Sequence, residues 1–153
     1  MAVVYHVPKR ATVHCTATPN GKRVNVEAIR EDHMKNRGWS DIGYHMIIQP
    51  DGEVANGRPL NIVGAHVEGD NIGNLGIAMA GTDLFSIEQF NSLAYKLQAL
   101  KQGFNIPLWE VYTHNQFKSA IAQGKRCPCI SINHLLGFLM TQVREPIQSY
   151  LYR

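Results

Sequence analysis

Apolar residues along this chain alternate between short runs typical of buried strands and longer stripes at helical spacing. The predicted strands cover residues 12–18, 42–48, 53–57, 62–66, 75–80 and 109–113, and the predicted helices cover residues 24–37, 86–102 and 132–143. Pro50, Asp51 and Gly52 form a turn signal between two of the strands, which therefore make a hairpin. Because strands and helices alternate elsewhere, the sequence predicts an α/β fold with a single mixed β-sheet flanked by about three helices.

The length of 153 residues is enough for one domain with a substantial core and too short for two. We therefore expect residues 1–153 to form a single domain, and we expect a monomer. The net charge of +3 is too small to indicate a nucleic-acid-binding protein. No apolar run approaches the roughly 20 residues of a membrane span, and the first residues lack the pattern of a secretory signal. These features predict synthesis in a cytoplasm, without a signal peptide and without membrane association.

Two histidines follow apolar strands at matching positions. His14 lies at the end of the first predicted strand, and His114 follows the strand at residues 109–113. Around His14 the chain has small polar side chains, where a core strand would carry Val, Ile or Leu, and this leaves room for a ligand. Functional sites in α/β folds gather where loops leave the ends of the strands. The two imidazoles are therefore candidate site residues.

A third candidate is the thiol of Cys127. Proline follows this cysteine and favours an extended backbone at it, so the thiol can project from a loop. Two imidazoles and one thiolate are good zinc ligands, and a site with three protein ligands leaves the fourth position to water, as catalytic zinc sites do. Three cysteines in total argue against a disulfide framework. The residue types alone leave other pairings open, because the chain has seven histidines.

Four segments occur in a fixed order along the chain: VHCTAT, RGWSDIGYHMIIQPDGEVANGR, GAHVEGDNIGNLGIAMAG, and a TH that is followed by K-x-C-P. As a set they resemble the zinc-dependent N-acetylmuramoyl-L-alanine amidases, the family of small bacteriophage amidase-type lysozymes and peptidoglycan recognition proteins. The resemblance covers about residues 11–128. It implies the fold of that family and a single catalytic amidase domain.

The resemblance also implies a set of functional residues. His14, His114 and Cys127 would hold one Zn²⁺ per chain, and Tyr44 and Lys125 would be the catalytic partners. The implied reaction is hydrolysis of the amide between N-acetylmuramic acid and L-alanine in peptidoglycan. A phage-type endolysin of this kind is made in the cytoplasm of a bacterial host and acts on the cell wall after release. Which of Tyr44, Lys125 and the zinc-bound water handles each proton transfer stays open.

Several neighbouring residues have competing interpretations. Cys129 offers a second thiol two residues after Cys127, and the K-x-C-P pattern favours Cys127. His66 could line the cleft and bind substrate, or it could simply pack beside the sheet. His45 alternates with Tyr44 along a predicted strand and therefore points the other way, which favours a hydrogen-bonded core histidine.

Two alternative functions remain. Some peptidoglycan recognition proteins keep the fold, lose the cysteine ligand and only bind peptidoglycan; Cys127 and Tyr44 argue against that reading here. One phage lysozyme of this kind also binds and inhibits its phage's RNA polymerase, partly through its N-terminal segment. The N-terminal segment of this chain differs, so a second role as a regulator of RNA polymerase is kept only as an alternative.

Overall fold

A five-stranded sheet forms the centre of the computed structural model, which describes residues 3–150, with side chains as far as residue 141. The strands are β1 (Arg10–Cys15), β2 (Met46–Ile48), β3 (Val54–Asn56), β4 (Asn74–Met79) and β5 (Val111–Thr113). Their order in the sheet is β3-β2-β4-β1-β5. Only the hairpin pair β2 and β3 is antiparallel, and the other neighbouring strands are parallel. The prediction of a single mixed sheet is confirmed.

Four α-helices surround the sheet: α1 (Val26–Lys35), α2 (Ile87–Phe104), α3 (Lys118–Ala122) and α4 (Ile132–Tyr150). The side chain of Asn25 caps α1 by accepting from two backbone N–H groups, and Ser86 and Gln89 form a capping box at the start of α2. The sequence predicted the three longer helices and missed α3. That helix has five residues and one buried side chain, too few to form a recognisable apolar stripe.

The two faces of the sheet have different neighbours. Ala11 and Val13 of β1 belong to the large apolar core that α2 and α4 cover. Because side chains alternate along a strand, Thr12 and His14 point to the opposite face, where α1 packs. The candidate site therefore lies on the α1 side, next to the smaller core cluster around Ile47.

Four predicted strands differ from the structure. The strand at residues 12–18 is β1 (Arg10–Cys15), and the strand at residues 109–113 is β5 preceded by a 3-10 turn (Leu108–Glu110). The strand at residues 42–48 is reduced to β2, and the strand at residues 62–66 is absent apart from an isolated bridge between Tyr5 and Ile62. The buried guanidinium of Arg58 donates to the backbone carbonyls of Asp41, Ile42 and Val63. Within the predicted strands, the carbonyls of Ile42 and Val63 thus bond a side chain rather than a neighbouring strand. Within residues 3–150, no helix is both long enough and apolar enough to cross a membrane.

Candidate metal centre

The structure brings the donor atoms of His14, His114 and Cys127 within 4.8 Å of one another. Nδ1 of His14 lies 4.0 Å from Sγ of Cys127. Tetrahedral zinc, with bonds of about 2.0 Å to nitrogen and 2.3 Å to sulfur, separates such donors by about 3.5 Å. The three side chains therefore fit a zinc ion after a small inward movement.

Strand register places the two histidines side by side. β1 and β5 are parallel neighbours, and Val13 of β1 is paired with Thr113 of β5. The next residue on each strand is a candidate ligand, and the ring centroids of His14 and His114 are 4.5 Å apart. β5 ends at Thr113, and a short 3-10 turn (His114–Gln116) follows, so His114 lies directly after the carboxyl end of β5.

Cys127 is held by backbone groups next to both histidines. The N–H of Cys15 donates to Sγ of Cys127 at 3.1 Å, and the N–H of Asn115 donates to the carbonyl of Cys127 at 3.0 Å. Cys129 is exposed and lies outside the donor cluster found among the described residues. The geometry thus favours Cys127 over Cys129 as the thiol of the site.

Burial keeps the two candidate histidine ligands neutral. It lowers the pKa of His14 well below its usual range, with smaller contributions from His66, His114 and Lys125. Burial, followed by the charge of Lys125, lowers the pKa of His114 to about 4. A neutral imidazole keeps a lone pair free for a metal, so no proton has to leave these rings near neutral pH.

The Cys127 thiol is also held in its neutral form, but for cysteine this is not the form that binds a metal. Its contact with Cys15, followed by burial, raises the pKa of Cys127. A coordinating cation reverses this effect, because the ligand form of cysteine is the thiolate.

The predicted catalytic partners lie in the same cleft. Tyr44, His114, Lys125 and Cys127 line a cleft of about 570 Å³, which also passes Thr16 and Ala17 of the turn after β1. The ring of Tyr44 is 5.3 Å from that of His14, centroid to centroid. Burial raises the pKa of Tyr44, so its hydroxyl keeps its proton and remains a hydrogen-bond donor.

His66 and His45 are both buried on the sheet. Nδ1 of His66 lies 3.0 Å from Nε2 of His14, and only 8% of His66 is exposed. His66 borders a smaller cleft next to Lys125. The contact of His66 with substrate stays a prediction. His45 accepts from the N–H of Gly76 and contacts the carbonyl of Ile62 through its other nitrogen. This confirms the interpretation of His45 as a hydrogen-bonded core histidine.

The contact between His66 and His14 was not predicted. It depends on how the segment before β4 packs against β1, which local patterns in the sequence do not specify. Asn71 is a second residue that sequence reasoning missed. Its side-chain oxygen accepts from the N–H groups of His66 and Val67 and so fixes the backbone that carries the His66 ring.

Comparison with known proteins gives a family and a set of relatives. The family of N-acetylmuramoyl-L-alanine amidases (Amidase_2) matches residues 5–130. The endolysin of Enterobacteria phage T3 is 42% identical over 85 residues, which are 53% of this chain and 56% of that protein. The endolysin of Escherichia phage T7 is 45% identical over 69 residues, which are 45% of each protein. The matched part of the chain thus spans about half the length of these phage relatives.

A longer match connects the chain to an animal protein. Peptidoglycan-recognition protein SC2 of Drosophila melanogaster is 31% identical over 127 residues, which are 80% of this chain and 67% of that protein.

Solved structures agree with these matches. The N-acetylmuramoyl-L-alanine amidase LysC from Clostridium intestinale URNW superposes with a TM-score of 0.73 and 32% identity, covering 84% of this chain and 81% of that one. Peptidoglycan recognition protein LE, solved in complex with tracheal cytotoxin, gives a TM-score of 0.70 at 28% identity and covers 83% and 77% of the two chains. The family match takes in all five strands and the three candidate metal ligands, and by this match the chain belongs to the N-acetylmuramoyl-L-alanine amidase family.

Proposed function

We propose that the chain is a zinc-dependent amidase that hydrolyses the bond between N-acetylmuramic acid and L-alanine in peptidoglycan. The observation that carries this proposal is the cluster of His14, His114 and Cys127, of which His114 and Cys127 line a cleft together with Tyr44 and Lys125. A binding module would need the cleft but not three metal-binding side chains beside a phenol and an ammonium group. The proposed setting is that of a phage-type endolysin, made in a bacterial cytoplasm and acting on the cell wall after release.

Each residue of the cleft has a defined part in this proposal. The chemistry supplied by zinc at such a site is Lewis acidity and a lowered pKa of water. Tyr44 keeps its proton because burial raises its pKa, so its hydroxyl can donate a hydrogen bond at the reacting carbonyl. Lys125 brings a positive charge to the cleft, where the carbonyl oxygen becomes negative during the reaction; one such group is typically worth about 3 kcal/mol.

The walls of the cleft suit an anionic peptide. Lys22 and Lys125 border the cleft, together with Arg37, which is paired with Asp32, and stem peptides of peptidoglycan carry carboxylates. Thr16 and Ala17 have small side chains at the cleft wall, and this leaves space beside the metal ligands. We expect the lactyl–alanine amide to lie against this wall.

Digestion of purified peptidoglycan tests the reaction. The expected products are new amino groups on L-alanine without new reducing sugar ends, and we expect one Zn²⁺ per chain by metal analysis. Chelation should abolish turnover, and added Zn²⁺ should restore it. New reducing ends, or full activity in the presence of a chelator, would contradict the proposal.

A pair of cysteine variants tests the ligand set. Cys127→Ser should lose zinc and turnover while still sedimenting with insoluble peptidoglycan. The matched control, Cys129→Ser, removes an exposed thiol two residues away and should keep zinc, turnover and binding. A wild-type protein that binds peptidoglycan and contains zinc but never hydrolyses it would favour the binding module instead.

A further inference from the structure

A hydrogen-bonded chain leads from the candidate metal centre into the sheet. Nε2 of His14 lies 3.0 Å from Nδ1 of His66, and Nε2 of His66 lies 3.1 Å from the backbone carbonyl of Asn74. The other ring nitrogen of His14, Nδ1, faces Sγ of Cys127. His66 thus contacts a metal ligand from the side that the metal does not use.

The carbonyl of Asn74 determines where each proton lies. A carbonyl only accepts, so Nε2 of His66 must carry a hydrogen and donate it. Nδ1 of a neutral His66 then has a free lone pair and accepts from Nε2–H of His14. His14 in turn is left with its lone pair on Nδ1, the nitrogen that faces Cys127. One backbone carbonyl therefore selects the tautomer of His14 that can bind a metal.

The sheet is built to admit the His66 ring. A β-carbon on Gly76, in the middle of β4, would lie 2.7 Å from Cγ of His66. A β-carbon on Gly64 would lie 2.7 Å from Cδ2 of the same ring. Glycine weakens a strand interior, and a close approach of another group is a recognised reason for it. The ring of His66 thus occupies a slot that only glycine at both positions leaves open.

The backbone of His66 is fixed as well. The side-chain oxygen of Asn71 accepts from the N–H of His66 at 2.9 Å. The side chain of Asn74, whose carbonyl ends the chain of hydrogen bonds, donates to the carbonyl of Asp70 and accepts from the hydroxyl of Thr12. Thr12 lies two residues before His14 on the same face of β1. The ring and the residue that supplies its acceptor are thus both bonded to β1, and the backbone of His66 is held by Asn71 of the segment before β4.

We infer that His66 is a positioning residue: it fixes the tautomer and the ring orientation of His14, so that Nδ1 of His14 is presented to zinc. This inference rests on the proposed function in that zinc is the ion to be bound. Partners that orient a metal-binding histidine typically contribute 10–100-fold to metal affinity. We therefore expect loss of the His66 acceptor to weaken Zn²⁺ binding by that factor.

Nuclear magnetic resonance of the metal-free full chain, labelled with ¹⁵N, gives the first test. Long-range ¹H–¹⁵N correlation spectra distinguish the two neutral tautomers of histidine. In the wild type we expect His14 and His66 both to carry the proton on Nε2. A His14 ring that carries its proton on Nδ1 in the wild type would overturn the inference, whatever the variants do.

Metal affinity gives the second test, by competition of Zn²⁺ with a chromophoric chelator. His66→Leu removes the acceptor and should lower affinity 10–100-fold, with a mixture of His14 tautomers in the spectrum. His66→Gln offers a side-chain oxygen to His14 and should recover much of the affinity. The matched control is His6→Gln, because His6 also contacts two backbone groups but no metal ligand. It should leave both readouts unchanged.

The outcomes separate the two proposals. A wild-type chain without affinity for Zn²⁺ would contradict the proposed function, while the tautomer spectrum would still test the role of His66. A wild type that binds Zn²⁺ and cleaves peptidoglycan, together with a folded His66→Leu variant of equal affinity, would overturn this inference alone. If His66→Leu does not fold, the wild-type spectrum and His66→Gln decide.

Discussion

Cys129 has a backbone conformation that suits glycine better than cysteine. Its φ is +59°, in the left-handed region, and its side chain is exposed. This conformation costs a residue with a β-carbon about 1–2 kcal/mol, and glycine avoids that cost. Part of the gain is offset, because glycine has more conformational freedom to lose when the chain folds. We expect Cys129→Gly to raise the free energy of unfolding by about 0.5–1 kcal/mol, measured by urea denaturation. Cys129→Ser keeps the β-carbon and should show no gain; equal stabilities of the two variants would contradict the argument.

His45 should make stability depend on pH. Burial lowers its pKa to about 4 in the folded protein, whereas an unfolded histidine has a pKa near 6.5. Since the unfolded chain binds this proton more tightly, the contribution is complete above about pH 6.5 and is lost as the pH falls towards 4. The loss at pH 4 is at most about 3 kcal/mol. Protonation would also remove the lone pair that accepts from Gly76.

Urea denaturation between pH 7 and 4 checks this expectation with His45→Gln. Glutamine can accept from Gly76 and donate to Ile62 without titrating, so the slope of stability against pH should fall by up to one proton, about 1.4 kcal/mol per pH unit. Two other histidines, His6 and His66, contact the ring of His45, and burial lowers the pKa of each of them as well. Because these two histidines also make stability depend on pH, part of the slope should remain in His45→Gln. An unchanged slope would mean that His45 does not titrate as described.

Among elements, α2 is joined to the sheet through one buried side chain. Gln89 completes the capping box with Ser86 and also donates to the carbonyls of Ile48 and Ala80, at the ends of two strands. Only 1% of Gln89 is exposed. Gln89→Ala should therefore remove the Gln89 half of the capping box, while the backbone N–H of residue 89 can still donate to Ser86, and it should leave the buried carbonyl of Ala80 unpaired.

We expect Gln89→Ala to lower the free energy of unfolding by about 2–3 kcal/mol, against about 1 kcal/mol for the cap variant Ser86→Ala. Chemical denaturation of both variants measures the difference. Ser86→Ala also loses the bond from its hydroxyl to the carbonyl of Pro50. A loss for Gln89→Ala no larger than that for Ser86→Ala would contradict the added contribution of the bonds from Gln89 to the strands.

Local patterns explain which elements the sequence could predict. The apolar residues of β1 and β4 and the stripes of α2 and α4 carry their own signals, and the capping box of α2 is visible in the sequence. The irregular segments before Tyr44 and after Ile62 are different, because the side chain of Arg58 binds the carbonyls of Asp41, Ile42 and Val63 and so joins the two segments. No local periodicity can show that a side chain will replace a strand pairing.

Part of the candidate site could be predicted from the sequence for the same reason. His14 lies near the end of β1 and His114 directly follows β5, so the apolar residues before each of them indicated both, and the family resemblance pointed to Cys127. The partner of His14 could not be predicted, because His66 reaches it through a slot that Gly64 and Gly76 leave open. The two glycines are the feature of the sequence that could have indicated this slot. Their meaning can be recognised only when the neighbours of each strand are known.

For the whole molecule, metal binding should be linked to stability. The three candidate ligands come from β1, from the turn after β5 and from the segment before α4, so a bound ion would join parts that are far apart in the chain. At a free Zn²⁺ concentration of 100 times the dissociation constant, binding stabilises the folded state by about 2.7 kcal/mol. For a chain of this size we expect Tm to rise by about 5–10 °C.

Calorimetry with Zn²⁺ and with a chelator measures this shift. Cys127→Ser should melt at the same temperature under both conditions, because it lacks one ligand. A wild type whose Tm does not depend on Zn²⁺ would contradict the link between the cluster and stability.

The positions of the three ligands in the chain also have a consequence for biosynthesis. All five strands precede His114, and Cys127 follows them, so the ribosome delivers the complete sheet before the last ligand. Domains generally begin to fold from their N-terminal part while synthesis continues. A nascent chain that already has the sheet and the cleft wall would still lack the thiol of the metal centre. Under the proposed function, hydrolytic capacity is therefore withheld from every chain whose translation stops before Cys127.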